Sequence, residues 1–231
     1  MNNKFNEVKA LVFDLDGTLV DSMRDFSEVA QEVLTDFFGL SPSEARAAYR
    51  QTSGLPFRFQ VQSIFPDHQN IEEAVQEFET RKVLDYDKAP FFNDVLPVLE
   101  SLAQEFVLFV SSNNHQANVE EKISQLPISF KRILGYQPGF LKGKDHFDCI
   151  QSEYGFAPSQ ILFIGDSLHD AKMAKENKIN FAAKIGTFER SDFNEHHPDV
   201  IALENLSELL TLLRAQAANQ NQSADRQKRF A

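Results

Sequence analysis

Three short apolar runs, each leading directly into a compact polar loop, constrain this chain more than any other feature of its sequence. They are "LVF" at 11–13, "FVLFV" at 106–110 and "ILFI" at 161–164. Short continuous runs of this kind are typical of strands that are covered on both faces, as in parallel sheets. Helical patterns separate the runs, and weaker strands are expected within "INFAAKIG" and "DVIAL". The alternation predicts an α/β fold with a doubly wound parallel sheet.

The stretch between the first two runs has a different, helical pattern. Apolar residues recur at helical spacing over 22–38, and a second stripe begins at Ile71. We expect breaks between helices at "TSGLPFRF" and "FPDHQN". "SPSE" at 41–44 is typical of a helix start, with Ser41 as the cap and Glu44 as its reciprocal partner. We therefore predict an all-helical insertion at 22–86, with 1–21 and 87–214 forming the α/β core. The Gln/Asn-rich end, 215–231, is predicted to be a disordered tail.

Charge and composition exclude several kinds of partner. The 231-residue chain has a formal net charge of -11, which argues against duplex nucleic acid and anionic membranes. Its single cysteine, Cys149, allows no internal disulfide and fits a reducing compartment. We find no cleavable-signal pattern, and no apolar run reaches the roughly 20 residues that a membrane span needs. The sequence predicts a cytoplasmic protein that binds neither nucleic acid nor membrane.

The polar loops after the three runs carry the candidate site. The carboxyl ends of parallel strands open at one edge of the sheet, so these loops are expected to meet there. They contribute six oxygen-bearing side chains: Asp14, Asp16, Ser111, Ser112, Asp166 and Asp170. Carboxylates held this close repel each other unless a positive group lies between them. Acids and hydroxyls without cysteine suit a hard cation that prefers oxygen, such as Mg²⁺.

These loops also carry a family resemblance. "DLDGTLVDS", "VSSN", "GK" at 143–144 and "GDSLHD" resemble, in this order, the four motifs of the haloacid dehalogenase-like superfamily. The chain resembles in particular the phosphoglycolate phosphatase-like and β-phosphoglucomutase-like branch, in which a helical cap follows the first motif. The resemblance extends to about residue 213; its first and fourth motifs are specific, and the other two are weak alone. It implies a Rossmann-like core, a helical cap at 22–86 and Mg²⁺-dependent hydrolysis of a small phosphorylated metabolite.

The resemblance also implies roles for the four acids. Asp14 would attack phosphorus and become an aspartyl phosphate. Asp16 would protonate the leaving oxygen and then activate water. Mg²⁺ would be bound by the Asp14 side chain, the Asp16 backbone carbonyl and Asp166. Asp170 would bind the metal directly or through water, or would only orient its neighbours.

The remaining site residues follow from the second and third motifs and from the cap. The resemblance implies that Ser111 hydrogen-bonds the transferring phosphoryl group and that Lys144 neutralises charge beside it. The third motif usually reads Lys-Pro, whereas here it reads Lys-Asp, and Lys142 is an alternative two residues earlier. The expected substrate contacts are Ser112, Asn113 and Arg58.

Other functions stay open on the sequence. Phosphoryl transfer of the β-phosphoglucomutase type is one alternative, and a non-enzymatic phospho-accepting or binding module is another. Asp16 argues against a dehalogenase, which lacks that second aspartate. Phosphonate hydrolysis needs a cap lysine, and residues 22–80 contain none. The sequence does not identify the substrate, and it leaves open whether the chain is a monomer or a homodimer.

Overall fold

A computed structural model of the chain describes residues 5–86 and 88–215. Nearly all of the predicted disordered tail, from residue 216 onward, lies outside the described residues. Its first residue, 215, is helical, as are the described residues from 206 onward. Among the helices described, none combines the length and apolar character that crossing a bilayer requires.

A six-stranded parallel sheet organises the described chain. Its strands are β1 (Ala10–Phe13), β2 (Val107–His115), β3 (Arg132–Tyr136), β4 (Ile161–Gly165), β5 (Asn180–Lys184) and β6 (Ile201–Leu203). Their order is β3-β2-β1-β4-β5-β6, which confirms the predicted parallel sheet. At the end of β1, Phe13 pairs with Val110 of β2 and Ile164 of β4. The residues that follow Phe13, Val110 and Ile164 therefore lie side by side at the same edge.

Helices surround the sheet and fill the stretch between β1 and β2. They are α1 (Met23–Phe38), α2 (Pro42–Gln51), α3 (Phe57–Ile64), α4 (Ile71–Tyr86), α5 (Val95–Leu102), α6 (Gln116–Ser124), α7 (Lys144–Tyr154), α8 (Leu168–Glu176) and α9 (Arg190–His196). The predicted start of α2 is confirmed, because Ser41 and Glu44 form a reciprocal capping box. Helix α3 begins within the sequence that we expected to be a break, directly after Pro56.

The two faces of the sheet carry separate apolar clusters. Along β1, Leu11 and Phe13 belong to the cluster that includes apolar residues of α1, α2 and α4. Ala10 and Val12 belong to the other cluster, together with Phe147 of α7 and Phe163 of β4. Every residue of β1 is buried, which explains why its sequence shows no polar alternation.

The insertion joins the sheet at two adjacent chain crossings. The N–H of Asp21 donates to the carbonyl of Pro90 at 2.9 Å, and Val20 forms an antiparallel bridge with Phe91. Helices α1–α4 therefore leave from and return to neighbouring points beside β1. Residues of the insertion and residues that follow β1 and β4 line one cavity.

Candidate active site

Three carboxylates converge where β1 and β4 end. Asp14 follows β1, Asp166 follows β4, and Asp170 lies in the first turn of α8. One oxygen from each lies within 4.8 Å of the others, and all three residues are buried. Buried carboxylates at this separation need positive charge between them. Their all-oxygen donor set fits a hard divalent cation.

Lys142 supplies positive charge at this cluster. Its Nζ lies 2.7 Å from Asp14 Oδ1 and 2.8 Å from Asp170 Oδ1. The lysine is buried, and it reaches the cluster from the loop before α7. Gly143 follows it with φ +100°, and a side chain there would meet the sulfur of Met173 at 2.7 Å. The glycine therefore allows a turn between Lys142 and the helix that few other residues could adopt.

The structure places Lys144, the lysine that we expected at the site, away from the acids. Lys144 is the first residue of α7, and its side chain is 73% exposed. Its ammonium pairs with Asp148 one helical turn later, on the solvent side of the helix. The alternative, Lys142, is the lysine that the fold brings to the acids.

Burial and mutual repulsion set the protonation of the cluster. Burial raises the pKa of Asp14 well above its ordinary value; Lys142 opposes this shift, and Asp170 and Asp166 add to it. Burial, followed by the charge of Asp170, raises the pKa of Asp166 to about 7. Burial would lower the pKa of Lys142, but Asp14 and Asp170 outweigh it and raise that pKa. The lysine therefore stays charged, whereas repulsion between the carboxylates opposes ionisation of all three acids at once.

Asp16 faces a different set of partners from Asp14. The hydroxyl of Ser22 donates to Asp16 Oδ1 at 2.7 Å, and Nδ2 of Asn114 donates to Asp16 Oδ2 at 2.6 Å. Burial raises the pKa of Asp16, and the charge of Lys82 and the hydrogen bond from Ser22 lower it. Two carboxylates only two residues apart thus have distinct surroundings, which allows them distinct chemical roles.

The expected polar loop after Val110 is not a loop, because β2 continues to His115 and includes Ser111, Ser112 and Asn113. These residues have different surroundings. Ser111 is fully buried, and its Oγ lies 2.8 Å from Nδ1 of His146. Ser112 and Asn113, which we expected to contact the substrate, line the cavity. However, Nδ2 of Asn113 donates to the carbonyl of Gly54 at 2.8 Å, so this side chain also joins the core to the insertion.

The cavity above the acids has a volume of about 240 Å³. Its floor includes Asp14, Asp16, Lys142 and Asp166. Apolar side chains of the insertion form much of the opposite wall: Met23, Phe26, Leu55, Phe57, Phe59, Val75 and Phe78. The arrangement combines a charged floor with a mostly apolar roof, as is common for small-molecule sites.

Arg58 lies in the cavity wall, as we expected from the sequence. Its guanidinium already has a partner, because both terminal nitrogens contact the carboxylate of Glu72, with Nη2 at 2.6 Å from Oε2. Arg58 therefore joins α3 to α4 in addition to facing the cavity.

Sequence reasoning missed several residues around the acids. Lys82 lies within the predicted insertion, 22–86, just beyond the lysine-free stretch 22–80, and it lines the cavity. The argument against phosphonate hydrolysis, which assumed a cap without lysine, therefore does not hold. The position of Lys82 four residues after Phe78, on the same helical face, was the available signal. The hydroxyl of Thr187 donates to Asp166 from the loop after β5, and His146 contacts Ser111 from α7. Nothing in the local sequence distinguishes these last two from ordinary loop and helix residues.

Comparison with known proteins agrees with this geometry. Residues 11–184 match the family described as haloacid dehalogenase-like hydrolase. A phosphoglycolate phosphatase from Aliivibrio fischeri is 24% identical over 87% of this chain and 94% of its own length. An N-acetylmuramic acid 6-phosphate phosphatase from Pseudomonas aeruginosa is 27% identical, over 89% and 95% of the two chains. A haloacid dehalogenase-like family hydrolase from Streptococcus pneumoniae superposes with a TM-score of 0.76 at 26% identity, covering 90% of this chain and 99% of that one.

Proposed function

The chain belongs to the haloacid dehalogenase-like hydrolase family, and from this we propose that it hydrolyses a small phosphorylated metabolite through an aspartyl-phosphate intermediate on Asp14. The proposal includes Mg²⁺ as the divalent cation, held by Asp14, Asp166 and Asp170 together with the backbone carbonyl of Asp16. Both named relatives described above are phosphatases, which supports a phosphomonoester as the substrate.

The contact of Lys142 with Asp14 and Asp170 carries the proposal. A phosphate dianion that approaches an aspartate is repelled by about 4 kcal/mol for each pair of unit charges at ~4 Å, if the effective dielectric constant is about 20. A buried ammonium beside the nucleophile offsets this repulsion throughout the reaction. Asp14, Asp166 and Asp170 would hold the divalent cation, which would supply further positive charge at the reacting groups.

The proposed reaction has two steps. In the first, a carboxylate oxygen of Asp14 bonds to phosphorus while the ester P–O bond breaks, and Asp16 donates a proton to the leaving oxygen. In the second, Asp16 accepts a proton from water, the water oxygen bonds to phosphorus, and the acyl phosphate P–O bond breaks. Inorganic phosphate leaves, and Asp14 is regenerated.

We propose that residues 22–86 act as a cap over a catalytic core formed by 1–21 and 87–214. The hydrogen bond from Asn113 to Gly54 and the 2.7 Å ion pair between Arg50 and Asp192 support this division, since each joins the insertion to the core. A cap in this position excludes water while the phosphoryl group is transferred. Its apolar wall would contact the part of the substrate that leaves.

The test is turnover of phosphorylated metabolites and p-nitrophenyl phosphate by the purified protein. We expect release of inorganic phosphate with Mg²⁺, loss of activity on chelation and loss of activity in Asp14→Asn. Asp148→Asn makes the same change at an exposed helical position and should keep activity. Turnover by Asp14→Asn at the rate of the unmodified protein, or full activity in excess chelator, would contradict the proposal. Isomerisation of a sugar phosphate without phosphate release would instead indicate a phosphomutase.

A further inference from the structure

The amide of Asn114 lies between a lysine of the insertion and the carboxylate of Asp16. Its Oδ1 accepts a hydrogen bond from Nζ of Lys82 on α4. Its Nδ2 donates to Asp16 Oδ2 at 2.6 Å and to the hydroxyl of Tyr86 at 3.1 Å. Asn114 is buried, so these contacts are shielded from water.

The ammonium of Lys82 decides which end of this amide faces Asp16. An ammonium only donates hydrogen bonds, so the amide oxygen must face Lys82 and the N–H groups must face Asp16. A reversed amide would present its oxygen to Asp16 and could accept the proton of the neutral carboxyl group. With Lys82 in place, Asn114 offers only donors to Asp16, whether or not Asp16 carries a proton.

Lys82 is itself held in position. Its side chain is only 10% exposed, and Nζ lies 3.5 Å from a carboxylate oxygen of Glu79. The ammonium also lies 4.9 Å from the ring centre of Phe26 and 5.6 Å from that of Phe78. These contacts hold the ammonium beside the amide of Asn114 and keep it from turning toward solvent.

We propose that Lys82 is a positioning residue, which acts through Asn114 to keep the proton of Asp16 available to the leaving group. This inference rests on the proposed function, because it concerns the proton transfers assigned there to Asp16. Lys82 needs no contact with the substrate to have this effect. Its position on α4 makes the acid-base group of the core depend on a residue of the insertion.

The experiment compares two substrates that differ in their need for an acid. Glycerol 2-phosphate releases an alkoxide that must be protonated, whereas p-nitrophenyl phosphate releases a stable phenolate. For each substrate, kcat/KM reports the steps up to transfer of the phosphoryl group to Asp14. The ratio of the two values does not depend on the fraction of folded enzyme, so a partly unfolded variant still gives an answer.

We expect Lys82→Met to lower kcat/KM for glycerol 2-phosphate about tenfold more than for p-nitrophenyl phosphate. This difference is a part of the rate enhancement that general acid catalysis contributes. Arg81→Met removes the same charge from the next residue of α4, where the guanidinium pairs with Glu77 and Glu32, and should leave the ratio unchanged. Combining Lys82→Met with Asn114→Ala should give no larger change in the ratio than Asn114→Ala alone, because the two residues act in series.

Two results would overturn the inference. One is an unchanged ratio in Lys82→Met, whether both substrates lose activity equally or neither does. The other is independent, multiplying effects of Lys82→Met and Asn114→Ala on the ratio. Independent effects would mean that Lys82 contacts the substrate directly. Failure of the proposed function is recognised separately, since the unmodified protein would then hydrolyse neither ester, or Asp14→Asn would still do so.

Discussion

The ammonium of Lys142 lies 2.7 Å from a carboxylate oxygen of Asp14, although 128 residues separate the two in sequence. Both side chains are buried, and the contact joins the central strand of the sheet to the loop before α7. A buried charge pair of this kind is strongly coupled, because removing one partner leaves the other without compensation.

The first prediction concerns the two candidate lysines. Lys142→Met should reduce turnover of p-nitrophenyl phosphate by at least about 100-fold, since it removes a charge beside the reacting groups. Lys144→Met should change turnover less than about twofold, because that side chain is exposed and pairs only along its own helix. Steady-state kinetics on the folded proteins decides between them. Loss of activity in Lys144→Met alone would contradict the assignment.

The second prediction concerns pH and the acid cluster. Without metal, the pKa of Asp166 is raised from 3.8 to about 7, so the folded state holds more protons than the unfolded state between these values. The contribution of Asp166 to the free energy of unfolding should therefore fall as pH rises through that window. At pH 8, Asp166→Asn should stabilise the metal-free protein by roughly 1–3 kcal/mol, and at pH 5 by less.

Denaturant unfolding in chelator measures this difference, and repeating it with Mg²⁺ provides the control. Added Mg²⁺ should stabilise the unmodified protein and should have little effect on Asp166→Asn, which lacks one of the three carboxylates. If Asp166→Asn is less stable than the unmodified protein at pH 8 without metal, repulsion in the cluster is not the dominant effect of Asp166 on the free energy of unfolding.

The third prediction concerns the contact of the insertion with the core at Gly54. This residue has φ +96°, and a methyl group there would meet Oγ of Ser167 at 2.3 Å and Cβ of His169 at 2.8 Å. Gly54→Ala should therefore push the insertion away from α8 and reduce turnover by about tenfold or more, as expected when cap closure is impaired.

Gly39→Ala is the matched control for backbone strain. Gly39 ends α1 with φ +70°, and a methyl group there would meet nothing within 4 Å. Gly39→Ala should lower the free energy of unfolding by about 1 kcal/mol and leave turnover unchanged. Equal kinetic losses in the two variants would indicate that strain, rather than the contact with α8, explains the effect of Gly54→Ala.

The fourth prediction separates two roles of Arg58. If its guanidinium contacts the substrate, Arg58→Ala should raise KM about tenfold for the phosphorylated metabolite that the protein hydrolyses. It should change KM for p-nitrophenyl phosphate little. Glu72→Ala removes the partner of Arg58 but keeps the cation, and should raise neither KM. If both variants behave alike, Arg58 only joins α3 to α4.

The main elements of the sheet could be predicted because burial on both faces leaves a continuous apolar run. β3 was missed because its sequence, "RILGY", has few apolar residues and begins with an exposed arginine. The sequence also predicted a break where α3 begins, because Gly54 and Pro56 precede it. In both places the tertiary surroundings, rather than local propensity, decide the conformation.

The acids of the site could be predicted, and their partners could not. Asp14, Asp166 and Asp170 follow directly from where strands β1 and β4 end. The choice between Lys142 and Lys144 depends on the residue at which α7 begins, and helix boundaries are the least certain part of a sequence-based assignment. Lys82 reaches the site from another part of the fold. Its spacing from Phe78 indicates the helical face that it shares, but its proximity to the acids is seen only in the structure.

The two chain crossings between core and insertion have a consequence for how such an enzyme diversifies. Asp21 and Pro90 are joined by a backbone hydrogen bond, so the ends of the intervening segment are already closed at one point. A segment attached in this way can be exchanged for another of different length without moving the strand that carries Asp14, since loop closure adds little free energy. If the insertion contacts the leaving part of the substrate, as proposed, a related insertion grafted between residues 21 and 90 should change the preferred substrate and keep the chemistry at Asp14.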